Sequence, residues 1–443
     1  MNQARPISRR LLGLATAGVL TAGVLGSGTA RAKTSPVGPV DALNRSARPL
    51  GDLTALGHMV GGARIVGLGE ASHSAHEFFT LKHRVFRHLV TTKGFRSFAL
   101  ETSWSTGLRL DAYVTRGIGD PAQIMRDDFQ GQYAFWNTQE YLDLIHWMRR
   151  YNLAHPGRPQ LRFVGNDLGF PGKAAFDQVT AYLTAHRPDL ADTIETSYQS
   201  LRPEENSQAG EWMRTQLFGK SAEEQKADAE AASHALTLLR EQGRPNGDDR
   251  RSQEAYAWAV QNATAITQSF TGYAFEDFPE RMRYRDQAMA DNTAWWLQHQ
   301  GGKILLASNN GHIAYVSDNP AEFPEPTGSF LRRSLGDEYI NIGLTFNQGT
   351  VNAYPDFTTP QPKTYTVRPA PENHNENTLD KVHYRDFTID MRTALPAAHT
   401  WLQAARPTRS YGLYWSNDDP KTALGRSYDI LIHLHQVEAA HLR

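Results

Sequence analysis

Residues 65–85 read IVGLGEASHSAHEFFTLKHRV. An apolar run closes on Gly67 and Gly69, and Glu70 follows at once. His73 and His76 come next, and then the period changes. Phe78, Leu81, Val85 and Leu89 repeat at three- and four-residue steps, the spacing of one helix face. A short apolar run, a polar turn and a helix make a strand–loop–helix unit. The carboxylate at the strand end needs a reason, because strands buried on both faces have no solvent of their own for a charge.

Five further runs have the same character: 97–101, 161–166, 303–308, 339–346 and 428–434, besides 64–69 itself. Each is rich in Ile, Leu, Val or Phe, and most are bounded by Gly, Asn or Asp. Helical patterns separate the early ones, as with Leu142, Ile145 and Met148. Strands alternating with helices predict a mostly parallel central sheet covered on both faces, a three-layer α/β/α fold. Residues 173–300 differ. They hold Ala-, Glu- and Gln-rich stretches such as SAEEQKADAEAASHALTLLREQ and no convincing strand. They predict a large helical insertion acting as a lid, with Trp212, Phe218 and Phe275 lining a cleft. The core is then split between residues 33–172 and 301–443. Residues 318–328 and 354–377 read as loops.

The first 32 residues read as a targeting segment. SRRLL at 8–12 is a twin-arginine pattern, Leu11 to Leu25 is mildly apolar, and ARA at 30–32 is a cleavage site. About 15 apolar residues are fewer than the roughly 20 a bilayer needs. A secreted protein without a stable membrane anchor is expected. The chain has no cysteine, which excludes disulfides, thiol nucleophiles and thiolate metal sites. A formal net charge of -1 over 443 residues gives no basic excess for nucleic acid.

In an open parallel sheet, ligands bind beyond the carboxyl ends of the strands. Four strand ends here carry polar groups. They are Glu70 with His73, Glu101 in FALETSW, Asp167 in FVGNDLGF, and Asn309, Asn310 and His312 in NNGH. Desolvated carboxylates need partners, and His73 and His312 are the natural ones. His76 reads as a surface residue of the first helical turn, or one supporting the site from behind. No G-x-S-x-G occurs, so a serine nucleophile elbow is absent. HSAHEFF does not match H-E-x-x-H, so no metal or other cofactor is expected. A histidine–carboxylate pair that activates water directly fits what is left.

These residues resemble the erythromycin esterase family. LGEASHSAHEFF is similar to its L-G-E-x-T-H-G-T-x-E-F block. The resemblance continues through GFRSFALETSW, FWNTQEYLDLIHWMRRYN, FVGNDLGF, YRDQAMADNTAWWL, NNGHIA, GSFLRRSLGDEYINIGLTFNQG and YDILI. It implies a three-layer α/β/α core and metal-independent ester hydrolysis. By the resemblance His73 is the general base, Glu70 and Glu101 are the two acidic positions, and His312 is the second essential histidine. Lys82 stands where the family has a basic residue in the first helix, and Arg285 matches the arginine of R-D-x-x-M-x-x-N. The family's H-N-G-H is here Asn309-Asn310-Gly311-His312. Substrate contacts are expected from Lys82, Arg285, Asn309, Asn310 and Asp167. The expected substrate is a bulky, apolar small molecule, an ester or macrolide-like lactone. A cyclase, lyase or transesterase of natural-product biosynthesis is the alternative use of the same groups.

Overall fold

In the computed structural model of the protein, the described residues are 38–443 without 206, 246–248, 357, 360 and 417. The expected targeting segment at 1–32 lies outside them. The strands are β1 (Arg48–Pro49), β2 (Ile65–Leu68), β3 (Phe95–Ser103), β4 (Arg162–Asp167), β5 (Lys303–Ala307), β6 (Tyr339–Ala353), β7 (Lys363–Val367) and β8 (Phe387–Asp390). A short ladder of β9 (Arg406–Pro407) with β10 (Lys421–Thr422) stands apart, and β11 (Ile430–Val437) closes the series. The main sheet has the order β1-β8-β11-β6-β2-β5-β3-β4, with β7 paired to β6. Its inner strands, β11 to β4 along that order, all run parallel; β1, β7 and β8 are antiparallel additions.

Apolar residues alternate between the two faces. Val66, Leu68, Phe98, Leu100 and Leu305 meet the helices His76–Lys93 and Gln139–Ala154. Ile65, Ala99, Val164, Ile304 and Leu306 meet Trp104, Phe176 and Trp296 from the opposite layer. The three layers expected from the alternation are therefore present. Residues 172–300 carry the helices Gly172–His186, Pro188–Tyr198, Ala222–Gln242, Arg250–Ala274 and Phe278–Gln300. Phe278–Gln300 lies against β4, and Arg250–Ala274 packs outside it on Gly172–His186 and Ala222–Gln242. These long helices thicken the layer over one sheet face.

Two local devices shape the carboxyl edge. The first is a close approach of the helix Trp104–Arg116 to β4. A Cβ on Gly107 would stand 2.0 Å from the Gly165 nitrogen, and one on Gly165 would stand 2.0 Å from the Ser103 carbonyl oxygen. The second is a bulge. Leu100 pairs with Gly165 but Ser103 pairs with Asp167, so β3 spends one extra residue around Glu101 and Thr102. Bulges re-aim side chains, and this one sits at the strand end that carries Glu101.

Candidate active site

β2 hands Glu70 to the sheet edge at the point where the strand order runs outward in both directions, to β5 on one side and β6 on the other. Gly69 is required there, since a Cβ would lie 2.2 Å from Asn310 Oδ1. The Asn310 amide is held by the next strand: it donates to Leu344 O at 2.7 Å and accepts from Leu344 N at 3.0 Å. The loop after Glu70 is tied to a distant segment, with His73 N donating to Tyr411 O at 3.2 Å and Tyr411 N to Ala71 O at 2.8 Å.

Glu70 is 1% exposed and divides its oxygens. Oε1 lies 2.9 Å from His73 Nδ1. Oε2 accepts from Lys82 Nζ, which also donates to Ser308 O at 3.1 Å. With Nδ1–H on the carboxylate, the His73 lone pair is on Nε2, which has no hydrogen bond among the described residues. The ring stands edge-on to Trp136, with centroids 4.9 Å apart. Trp136 is in turn fixed by its Nε1–H to Glu101 O at 2.6 Å.

Glu101 gathers a second group. Its Oε1 lies 2.9 Å from Arg285 Nη2 and 3.3 Å from His312 Nε2. Its Oε2 accepts from Ser308 Oγ at 2.6 Å and Asn309 N at 3.3 Å. Arg285 also clamps Asp167 through Nε at 3.0 Å and Nη2 at 2.6 Å, and Tyr133 OH donates to Asp167 Oδ2 at 2.8 Å. His312 Nδ1 lies 2.6 Å from Asp286 Oδ1, and Asp286 accepts from Thr327 N and Oγ1 at 2.8 and 2.7 Å. Asn309 caps the short helix Asn310–Ile313 by accepting from His312 N at 2.8 Å.

The electrostatics follow from these contacts. Burial works against charge on His312, but Asp286 and Glu101 outweigh it and lift the imidazole up to about 10. Burial likewise opposes the Glu101 anion, yet His312, Arg285 and His73 hold it well below the usual carboxylate range. Asp167 is moved upward by burial, which its bond to Arg285 only partly offsets. Burial also disfavours charge on Arg285, but Asp167 and Glu101 keep it a firmer cation than usual.

A cavity of about 430 Å³ opens beside this cluster. Tyr133 and Phe170 belong to its wall, as do Met213, Phe218, Tyr354 and Leu413. Tyr133 joins the cavity to Asp167, and Gly412, next to Leu413, faces the His73 ring. Asp128, another lining residue, is pushed up to about 6 by burial, with Arg109 pulling the other way. Asp128 Oδ2 and Gln132 Nε2 are buried without partners among the described residues.

The four strand ends thus bring Glu70, His73, Glu101, Asp167, Asn309, Asn310 and His312 together, with Lys82 and Arg285 delivered by helices. Lys82 is in the buried ion pair with Glu70 that its helix spacing allows. Of the three aromatics expected to line a cleft, Phe218 lines the cavity; Trp212 packs on Phe170 and Phe270, and Phe275 on Tyr284. Asp286, Ser308, Tyr133 and Trp136 escaped the sequence reading. Asp286 follows Arg285 in YRDQAMADN and Trp136 stands in FWNTQEY, so both lie inside blocks that carry the family resemblance.

The sequence profile described as erythromycin esterase matches residues 90–437. The chain is 24% identical over 336 residues to erythromycin esterase type II of Escherichia coli, covering 70% of this chain and 75% of that one. A solved structure described as a succinoglycan biosynthesis protein is similar with a TM-score of 0.80 at 29% identity, covering 91% of this chain and 98% of that one. An erythromycin esterase mutant, EreC, in its open conformation shares the fold with a TM-score of 0.66 at 18% identity, covering 88% and 96%. With the profile spanning most of the sheet and the insertion, the chain belongs to the erythromycin esterase family, which supports a hydrolase.

Proposed function

We propose that the protein hydrolyses a carboxylic ester or lactone of a natural product, with His73 as general base and no metal in the reacting centre. The observation that carries this reading is the buried chain Lys82–Glu70–His73, which fixes the imidazole with its Nε2 free. In the step, Nε2 takes a proton from water while the water oxygen bonds to the carbonyl carbon. The carbon–oxygen ester bond then breaks, and the proton passes to the leaving alkoxide. His312 and Arg285 are the nearby cations for the developing oxyanion. The cavity supports a bulky substrate with an apolar body. Asp128 and Gln132 supply polar contacts, and the family name suggests a macrolide-like lactone. Export through the twin-arginine segment remains part of the proposal, tested by locating the full-length chain in cell fractions.

The test is a mass-spectrometric screen of macrolides and linear esters with native protein and His73→Ala. A lactone product heavier by one water, or the acid and alcohol of a cleaved linear ester, is expected, with turnover lowered roughly 100-fold or more in the folded variant. Near-normal turnover in His73→Ala would remove His73 from the mechanism. A second reading, bond formation at the same site, is favoured by Asn309 and by the similar protein described as acting in succinoglycan biosynthesis. A product of unchanged mass would select it.

A further inference from the structure

Apart from the His73 cluster, three side chains converge where the segment after β11 crosses the starts of two helices. His76 opens the helix His76–Lys93, and Glu140 lies in the first turn of Gln139–Ala154. His441 comes from the crossing segment. Nδ1 of His76 lies 2.6 Å from Glu140 Oε1, and Nδ1 of His441 lies 3.0 Å from the same oxygen. His441 N donates to it as well, at 3.2 Å. The other oxygen, Oε2, is buried with no partner among the described residues. One donor atom from each of the three residues lies within 4.8 Å of the others.

A carboxylate that gathers three nitrogens around one oxygen and leaves the second bare is poorly served by hydrogen bonds alone. Two imidazoles and one carboxylate are instead a donor set suited to a borderline divalent ion, and the nitrogen ligands disfavour Ca²⁺ and Mg²⁺. Tetrahedral zinc with bonds of about 2.0–2.2 Å holds neighbouring ligand atoms roughly 3.3 Å apart. The present Nδ1–Oε1 separations need only open by under about 1 Å to reach that spacing. The side chains can make this adjustment: His441 is 68% exposed and His76 34% exposed, while Glu140 is the fixed anchor. The exposed side leaves a fourth position for water.

We propose that His76, Glu140 and His441 bind one divalent transition-metal ion of the Zn²⁺ class, which clamps the segment after β11 onto the loop that carries His73. That loop already lies under the segment. His76 N donates to Glu438 O at 2.7 Å, and Ala440 N to Ser74 O at 3.3 Å. Asn352 Nδ2 bridges Ser74 Oγ and Ala440 O at 3.0 and 2.9 Å. The ion would add a bond across the same seam, three residues from His73, without touching a reacting group. The site stands whether or not His73 is the base.

The experiment uses the full chain, stripped with chelator, desalted and titrated with ZnCl₂ by calorimetry at neutral pH. One equivalent with a Kd in the micromolar range or tighter is expected, with loss of at least tenfold in affinity in His441→Ala. The exposed His299→Ala serves as control and should bind as the native chain does. Zinc should raise the melting temperature of the native protein and not that of His441→Ala. The proposal is overturned if the native chain takes up no zinc at about 100 µM, or if His441→Ala binds it as tightly as the native chain does.

Discussion

Replacing His312 by Gln isolates the charge that the second histidine brings to the interior. In the folded chain His312 is lifted from 6.5 up to about 10, against burial, by Asp286 at 2.6 Å and Glu101 at 3.3 Å. A group whose folded value is raised contributes stability fully below its unfolded value and loses it as pH rises through the folded value. The window here runs from about pH 6.5 to about pH 10. The full difference corresponds to on the order of 5 kcal/mol, and the portion lost between pH 7 and pH 9 to about 2–3 kcal/mol. Urea unfolding of native and His312→Gln protein at closely spaced pH values reads it directly. The native chain should lose stability faster than the variant across the window, so the gap between them narrows as pH rises. Tyrosines and lysines that titrate in both proteins cancel in that difference. A gap that stays constant from pH 6 to pH 10 would mean that His312 is not held as a cation, and the reasoning would fail.

Lys82→Met should destabilise the fold by roughly 3–5 kcal/mol, because Glu70 would remain as a buried charge with only His73 beside it. Urea midpoints would show this, and adding Glu70→Gln should recover part of the loss. Gly107→Ala should cost about 3 kcal/mol or more in the same assay. The new Cβ would meet backbone at 2.0 Å, and only separating the helix from β4 relieves that. Phe218→Ala removes an aromatic wall of the cavity that is 58% exposed. The Michaelis constant should rise about fivefold with kcat little changed, since the lost contact is made equally in ground and transition states.

The inner strands were legible because each is buried on both faces and therefore written as an apolar run. β2, β3, β4, β5, β6 and β11 all announce themselves this way. β7 does not: Lys363–Val367 is mostly exposed, and its segment reads as loop from Pro and Asn content. The short helix Asn375–Leu379 hides in the same stretch, and β1 has only two residues. The candidate site was legible where a strand end names its own residue, as at Glu70, Glu101 and Asp167. Asp286 was not, because it lies mid-helix and becomes significant only when Thr327 and His312 arrive from elsewhere. The cavity was illegible for the same reason, since its wall is drawn from segments as distant as Tyr133, Met213, Tyr354 and Leu413.

The two glutamates, carried by the strands β2 and β3 on either side of β5, are chemically alike and structurally unequal. Glu70 serves one histidine and one lysine, leaving an imidazole with a free nitrogen. Glu101 has both oxygens filled by Arg285, His312, Ser308 and Asn309, so it can hold charges in place but has nothing left to exchange. Around them, four carboxylates (Glu70, Glu101, Asp167, Asp286) face three cations (Lys82, Arg285 and a charged His312). One negative charge is left over, and a proton arriving on His73 would balance it. In the proposed reaction, a proton taken by His73 from water would offset that charge, in an interior where unbalanced charge is costly. His312 has its ring nitrogens turned to Asp286 and Glu101, which suits a fixed positive charge better than a shuttling one. The division of labour between the two histidines therefore rests on their acid partners: His73 has one carboxylate and a free nitrogen, whereas His312 has two carboxylates.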